Sequence, residues 1–239
     1  MKHRILSIIA AILVACGYAA AEEAIERYEI KVGNFNELSL VDGINVVYHC
    51  SEDSAGLAVF DASKNVADKL IFDTSKEGRL AIEKQFHEEQ ELVRDLPTVH
   101  VYSKFLTLVK NSGDSTLIVA SVAPTQQFKA VIIGNGRIVV RDVHCNKFDG
   151  AIKTGNGQIV VSGKCDNASL SNTGVGNIQA DALEAKEASC RFFGTGSTGV
   201  WATGTLIIKG MFPGNLYYKG TPKKIKNYSM GVKIHKLDE

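Results

Sequence analysis

The chain has 239 residues, 45% of them apolar, with 27 Lys and Arg against 26 Asp and Glu. That near balance leaves no basic surplus to displace counterions from phosphates, so nucleic acid is excluded as an expected partner. The length and apolar share are enough to bury a sizeable core.

Residues 1–15 read as a signal peptide, in which basic Met1-Lys-His-Arg4 precedes the apolar run from Ile5 to Ala15. The run is too short to span a membrane. It closes on Leu13-Val14-Ala15-Cys16-Gly17, which resembles the bacterial lipobox, whose cysteine is diacylated as the preceding peptide is removed. Cys16 is therefore the candidate lipidation site, and two or three acyl chains hold a protein on a membrane where one binds only marginally. The alternative is an ordinary signal peptide cleaved after Ala19-Ala20-Ala21, leaving a soluble periplasmic protein. Loss of Lys2 and Arg4 takes the 27 basic side chains to 25 against 26 acidic ones, a net charge of about −1.

Residues 16–33 read as a lipid-anchored tether, acidic at Glu22, Glu23 and Glu26, that leads into a first strand. Acidic residues soon after a lipid-bearing cysteine resemble the surface-export signals of some Gram-negative lipoproteins. From 34 to 239 the chain reads as one all-β domain. Phe35, Leu38, Leu40 and Val41 predict a strand, Asp42-Gly43 a turn, and Ile44 to Tyr48 a second strand. Further strands are expected at 57–60, 70–73, 80–84 and 98–102, separated by turn signals such as Lys76-Glu77-Gly78-Arg79. Residues 62–69 are long enough for a helical turn but lack a sustained helical period. The acidic stretch His87-Glu88-Glu89-Gln90-Glu91 reads as an exposed loop or edge. It lacks the glycine-bearing ligand loop of a calcium site, so no metal is expected there.

After Pro97 the composition shifts, and sixteen of the 22 glycines fall between 111 and 220. One phrase recurs about every twenty residues: Gly134-Asn-Gly136-Arg-Ile-Val-Val, Gly155-Asn-Gly157-Gln-Ile-Val-Val, Gly174-Val-Gly176-Asn-Ile-Gln-Ala and Gly194-Thr-Gly196-Ser-Thr-Gly-Val. A weaker copy starts at Gly113, and Gly214-Asn-Leu-Tyr-Tyr follows. In each repeat a short alternating strand follows the glycines, and a second strand precedes the next pair. Two strands and two turns per twenty residues make a flattened coil that buries its apolar face only against the next coil. The expectation is a parallel β-solenoid-like stack with glycines supplying positive φ at the corners. A β-sandwich of hairpins is the rival, but hairpins do not require the same phrase at the same phase.

Candidate chemistry is sparse. Gly194 to Gly199 satisfies the dinucleotide pattern Gly-x-Gly-x-x-Gly, yet residues 200–202 read as strand where that chemistry needs a helix. Gly163-Lys164 is followed by Cys165, not by a magnesium-holding Ser or Thr. His49-Cys50 and His144-Cys145 lack the paired spacing of a zinc site. No catalytic, cofactor-binding or metal residue is therefore expected. Cys145 lies nine residues after Gly136 and Cys165 eight after Gly157, a spacing that allows them to be neighbours on adjacent coils, where a disulfide is geometrically feasible but packed free thiols are the reading. Phe192, Phe193, Trp201, Phe212, Tyr217 and Tyr218 gather in the last coils, as a plug for the open end or as a binding surface, for which Trp201, Phe212, Tyr217 and Tyr218 are the candidates.

Phe35-Asn-Glu-Leu-Ser-Leu-Val-Asp-Gly43-Ile44-Asn45, the strand Leu80-Ala-Ile82, Pro97-Thr-Val-His-Val-Tyr102, the Gly-x-Gly ladder and Tyr218-Lys-Gly220-Thr-Pro222 together resemble the head GIN domain family of autotransporter adhesins. The resemblance runs from about Phe35 to Lys236. It implies a right-handed parallel β-solenoid-like domain, exported and cell-associated, without established enzymatic activity. The function expected is a non-catalytic adhesion or ligand-binding module of the outer membrane or cell surface, with glycans or envelope or host proteins as partners. The alternatives are a polysaccharide-degrading solenoid enzyme using Arg141, Asp142, Asp149 and Asp166, and an envelope scaffold.

Overall fold

A computed structural model describes residues 24–85 and 96–238, so Cys16, the start of the tether and the acidic stretch at 86–95 lie outside the described residues. In chain order the elements are β1 (Glu26–Lys31), β2 (Glu37–Leu40), β3 (Val46–Cys50), β4 (Leu57–Ala62), the single-turn α1 (Lys64–Ala67), β5 (Leu70–Thr74), β6 (Arg79–Lys84), β7 (Val99–Ser103), β8 (Leu108–Asn111) and β9 (Thr116–Val119). There follow β10 (Thr125–Ile133), β11 (Arg137–Thr154), β12 (Gln158–Asn172), β13 (Asn177–Phe192), β14 (Ser197–Gly210), β15 (Asn215–Lys219), β16 (Lys224–Ser229) and β17 (Lys233–Lys236).

The chain winds as a β-solenoid of about six turns, roughly 20 residues apart. Coils pair in parallel: Ile138 lies beside Ile159, Ile159 beside Ile178, and Ile178 beside Thr198. The two expected strands of a coil sit at the phases of 137–140 and 147–154. Between them the structure adds a short third segment, in which 143–145, 163–165 and 183–185 stack in register. Three residues are too few to leave a periodic trace in sequence.

Alternation of period two turns one side of every strand inward. The inward columns are almost closed to solvent, as in Phe128, Phe148, Ala168, Ala188 and Leu206. Side-chain volume changes along a column. The rings of Phe128 and Phe148 lie parallel with centroids 6.3 Å apart, and the next two coils offer only alanine at that position. Gly150 leaves the space that Phe148 and Leu170 fill, since a Cβ there would lie 3.0 and 3.1 Å from them.

At the corners the glycines act differently from the expectation. Gly134 and Gly155 have positive φ, at 127° and 83°, but the other glycines of the four phrases do not. What the Gly-x-Gly pairs share is close approach: a Cβ on Gly176 would overlap the carbonyl oxygen of Gly157, and one on Gly194 that of Gly174. The phrase is thus a stacking contact of bare backbone. Buried asparagines tie these corners. Asn111 donates from Nδ2 to the carbonyl of Ser115 at 2.7 Å, and Asn172 to that of Gly176 at 2.8 Å.

The first end of the solenoid is closed by antiparallel pairs, β5 with β6 and β4 with both β1 and β7. Residues 26–31, assigned above to the tether, are β1, which pairs with β4 from Glu26↔Ala62 to Lys31↔Leu57. Its Tyr28 stacks on Phe60 at 5.4 Å, and that apolar contact fixes the strand to the body. The opposite end carries β16 and β17, where nearly every side chain is exposed and Lys224, Lys226, Lys233 and Lys236 line the last coil. Charged side chains on a terminal strand discourage pairing with another chain.

Candidate binding surface

The outward sides of the coils form columns as regular as the inward ones. Three positions after the second glycine of each phrase stand Val139, Val160, Gln179, Gly199 and Tyr217, each the register partner of the next. Ile118 and Val47 extend the column toward the first end, and His235 follows Tyr217 at the last. The column runs aliphatic, then polar, then aromatic, and Gly199 leaves it without a side chain on one coil.

Around that gap lies a cleft of about 310 Å³, lined by Asn177, Gln179, Asp181, Ser197, Gly199 and Tyr217, with apolar Ile178 and Leu237 completing its wall. The Tyr217 ring stacks on His235 with centroids 5.0 Å apart and an interplanar angle of 19°. The Asp181 carboxylate reaches to within 3.1 Å of where a Cβ on Gly199 would be. At the other end of the same face, His49 contacts the rings of both His100 and Tyr102 on neighbouring β7, at 5.4 and 5.0 Å, with its Nε2 3.1 Å from His100 Nδ1. Burial, and then the neighbouring His100, hold His49 below its ordinary value of 6.5. His100 and Tyr102 also border a second cleft, of about 440 Å³, with Arg27 and Asp61.

The four aromatic residues singled out in the sequence do not share one setting. Tyr217 is 37% exposed on the outward column. Tyr218 opposes Val200 and packs, partly buried, against the end of the core, as a plug would. Trp201 is half-buried under Lys219, whose ammonium lies 4.6 Å from the ring centroid. Phe212, 50% exposed, stands on the corner before β15. The sequence missed Gln179, Asp181 and Gly199, although counting three residues on from each phrase would have aligned Gln179 and Gly199 with Tyr217.

The carboxylates of the enzymatic alternative are each bonded to a neighbour of their own. Asp142, on a corner with φ of 50°, lies 3.1 Å from His144 Nε2; Asp149 takes Lys147 at 3.0 Å and the amide of Gln127; Asp166 takes Lys186 at 2.6 Å. None of them, nor Arg141, lines either of these two clefts. Cys145 and Cys165 are register partners, as their spacing implied, and both are free thiols. Burial pushes Cys145 up to about 11 and Cys165 and Cys190 up to about 12, so all three stay protonated and unreactive. The pattern Gly194 to Gly199 runs directly into β14, so its amides meet a strand where a nucleotide loop needs a helix.

Solved structures share this fold. A putative adhesin from Bacteroides fragilis NCTC 9343 superposes with a TM-score of 0.77 at 19% identity, covering 90% of this chain and 98% of that one. A putative lipid binding protein from Parabacteroides distasonis ATCC 8503 gives 0.71 at 21% identity over 91% and 98%. A putative adhesin from Parabacteroides merdae ATCC 43184 gives 0.66 at 19% over the same shares. No curated protein matches the chain. A family model matches residues 34–222, and with that span covered the chain belongs to the family described as Putative auto-transporter adhesin, head GIN domain.

Proposed function

We propose that the protein is a non-catalytic adhesion or ligand-binding module of the cell envelope, exported by its signal peptide and held on the outer membrane or cell surface through acylated Cys16. Membership of an adhesin family supports the binding role, and one observation carries it: the solenoid presents a continuous outward column of eight stacked positions from Val47 to His235. Long flat faces of stacked repeats suit extended ligands such as glycans or neighbouring proteins. A lipid, the ligand class named for one structural relative, would have to bind outside the coils, because the interior columns are filled by side chains. The pairing of Asp142, Asp149 and Asp166 with separate partners favours binding over hydrolysis.

The test is adhesion of the full-length protein, incorporated in vesicles, to glycan arrays and matrix proteins. Saturable binding is expected; absence of binding to every glycan and protein at millimolar concentration contradicts the reading. Labelling with a radioactive fatty acid checks the anchor separately. Cys16→Ala is expected to abolish the label, and unchanged labelling contradicts lipidation.

A further inference from the structure

Gly199 interrupts an otherwise filled column at one coil only. On one side of it stands Tyr217, one face of whose ring is covered by His235 while the other turns toward the missing side chain. On the other side, one coil further, stands exposed Gln179. Adjacent parallel strands lie about 4.8 Å apart, so Gln179 and Tyr217 are separated by about 10 Å, the room of one ring stacked on Tyr217 with its far side facing the amide. The volume of about 310 Å³ is at the lower limit of small-ligand sites and suits a single ring.

The chemistry of the rim is equally specific. Asn177, Gln179, Asp181 and Ser197 all border the cleft, and among the described residues none of their side chains has a hydrogen-bond or ion-pair partner within the protein. They offer carboxylate and amide acceptors, amide donors and a hydroxyl, all uncommitted, around an aromatic face. A molecule with one apolar C–H face and a circumference of hydroxyls uses every one of these groups. A flat apolar ligand would leave them unpaired, at a desolvation cost.

We infer that the notch at Gly199 is a binding subsite for a neutral or amino hexopyranose, stacked on Tyr217 and held by hydrogen bonds from its hydroxyls to Gln179, Asp181, Asn177 and Ser197. This rests on the reading of the protein as a binding module and names the site and ligand class within it. The Asp181 carboxylate disfavours uronic acids and other acidic sugars by like-charge repulsion. The notch opens onto an outward face along the stack, so the bound sugar can be one unit of a longer chain.

Gly199 has no positive φ, and the same column carries Val139 and Val160, so Gly199→Val puts a strand-favouring side chain where the backbone accepts one. The experiment titrates the full-length protein and its Gly199→Val, Tyr217→Ala and Asp181→Asn variants with cello-, chito- and oligouronate tetrasaccharides, beside thermal melts of each. The expectation is binding of the neutral or amino oligosaccharide, weakened at least ~10-fold by Gly199→Val and by Tyr217→Ala, with the melting temperature of Gly199→Val unchanged or raised. Asp181→Asn should reduce discrimination against the oligouronate. Equal glycan binding by all four proteins overturns the notch but leaves the binding module intact. Preference of the unaltered protein for the oligouronate, or absence of all sugar binding while a protein ligand binds, overturns the sugar assignment.

Discussion

Two glycines of the same phrase, Gly196 and Gly199, show how position in the coil decides what a residue does. A Cβ on Gly196 would press into the carbonyl oxygen of Gly176, as one on Gly176 would into Gly157, whereas one on Gly199 meets the side chain of Asp181, most tightly its Oδ1 at 3.1 Å, and no backbone atom. Gly176→Ala should therefore destabilise the fold by ~2 kcal/mol or more, and Gly199→Ala by no more than ~0.5 kcal/mol, measured by chemical denaturation. At His49 the folded-state value is depressed, so protonation favours the unfolded chain. Its contribution is complete above the ordinary value of 6.5 and declines as pH falls from there toward the folded value. Melting temperature should fall less steeply across that window in His49→Asn, with His100 as the remaining imidazole of the pair. A thiol reagent at mild alkaline pH should reach Cys165 and Cys190 only on unfolding, because burial holds both near 12.

Elements were legible in sequence where a period repeats and illegible where it does not. The strands after each glycine pair and the strand pair around the Gly78 turn follow from alternation and turn chemistry, whereas the one-turn helix Lys64–Ala67 lies within a segment whose sequence shows no sustained helical period. The third segment of each coil does not, because residues such as 143–145 are too few to alternate. Corner chemistry was legible in kind but not in cause: the phrase marks the corners, yet steric clearance between stacked backbones, not left-handed geometry, requires most of its glycines. Packing between coils explains the Phe148 column, where the ring stacks on Phe128 on one side and meets only Ala168 on the other. Phe148→Ala should cost ~3–5 kcal/mol, read from the denaturation midpoint, with no compensation from the bare Gly150 beside it.

For the whole molecule, fold and candidate binding surface are written on opposite sides of the same strands. Inward positions are filled and repetitive, so a single sequence reveals them. Outward positions vary from Val160 to Gln179 to Gly199 to Tyr217, and their meaning appears only once the register stacks them. That is why Tyr217 could be singled out from sequence while the gap beside it could not: in sequence Gly199 is the last glycine of a nucleotide-like pattern, and in the coil it is an absent side chain between Gln179 and Tyr217. The measurement that tests the account most directly is equilibrium binding of the full-length protein to a tetrasaccharide or matrix ligand, with bound ligand recovered and its chain length determined. The account predicts saturable, reversible binding and ligand recovered intact. A shortened ligand would contradict it.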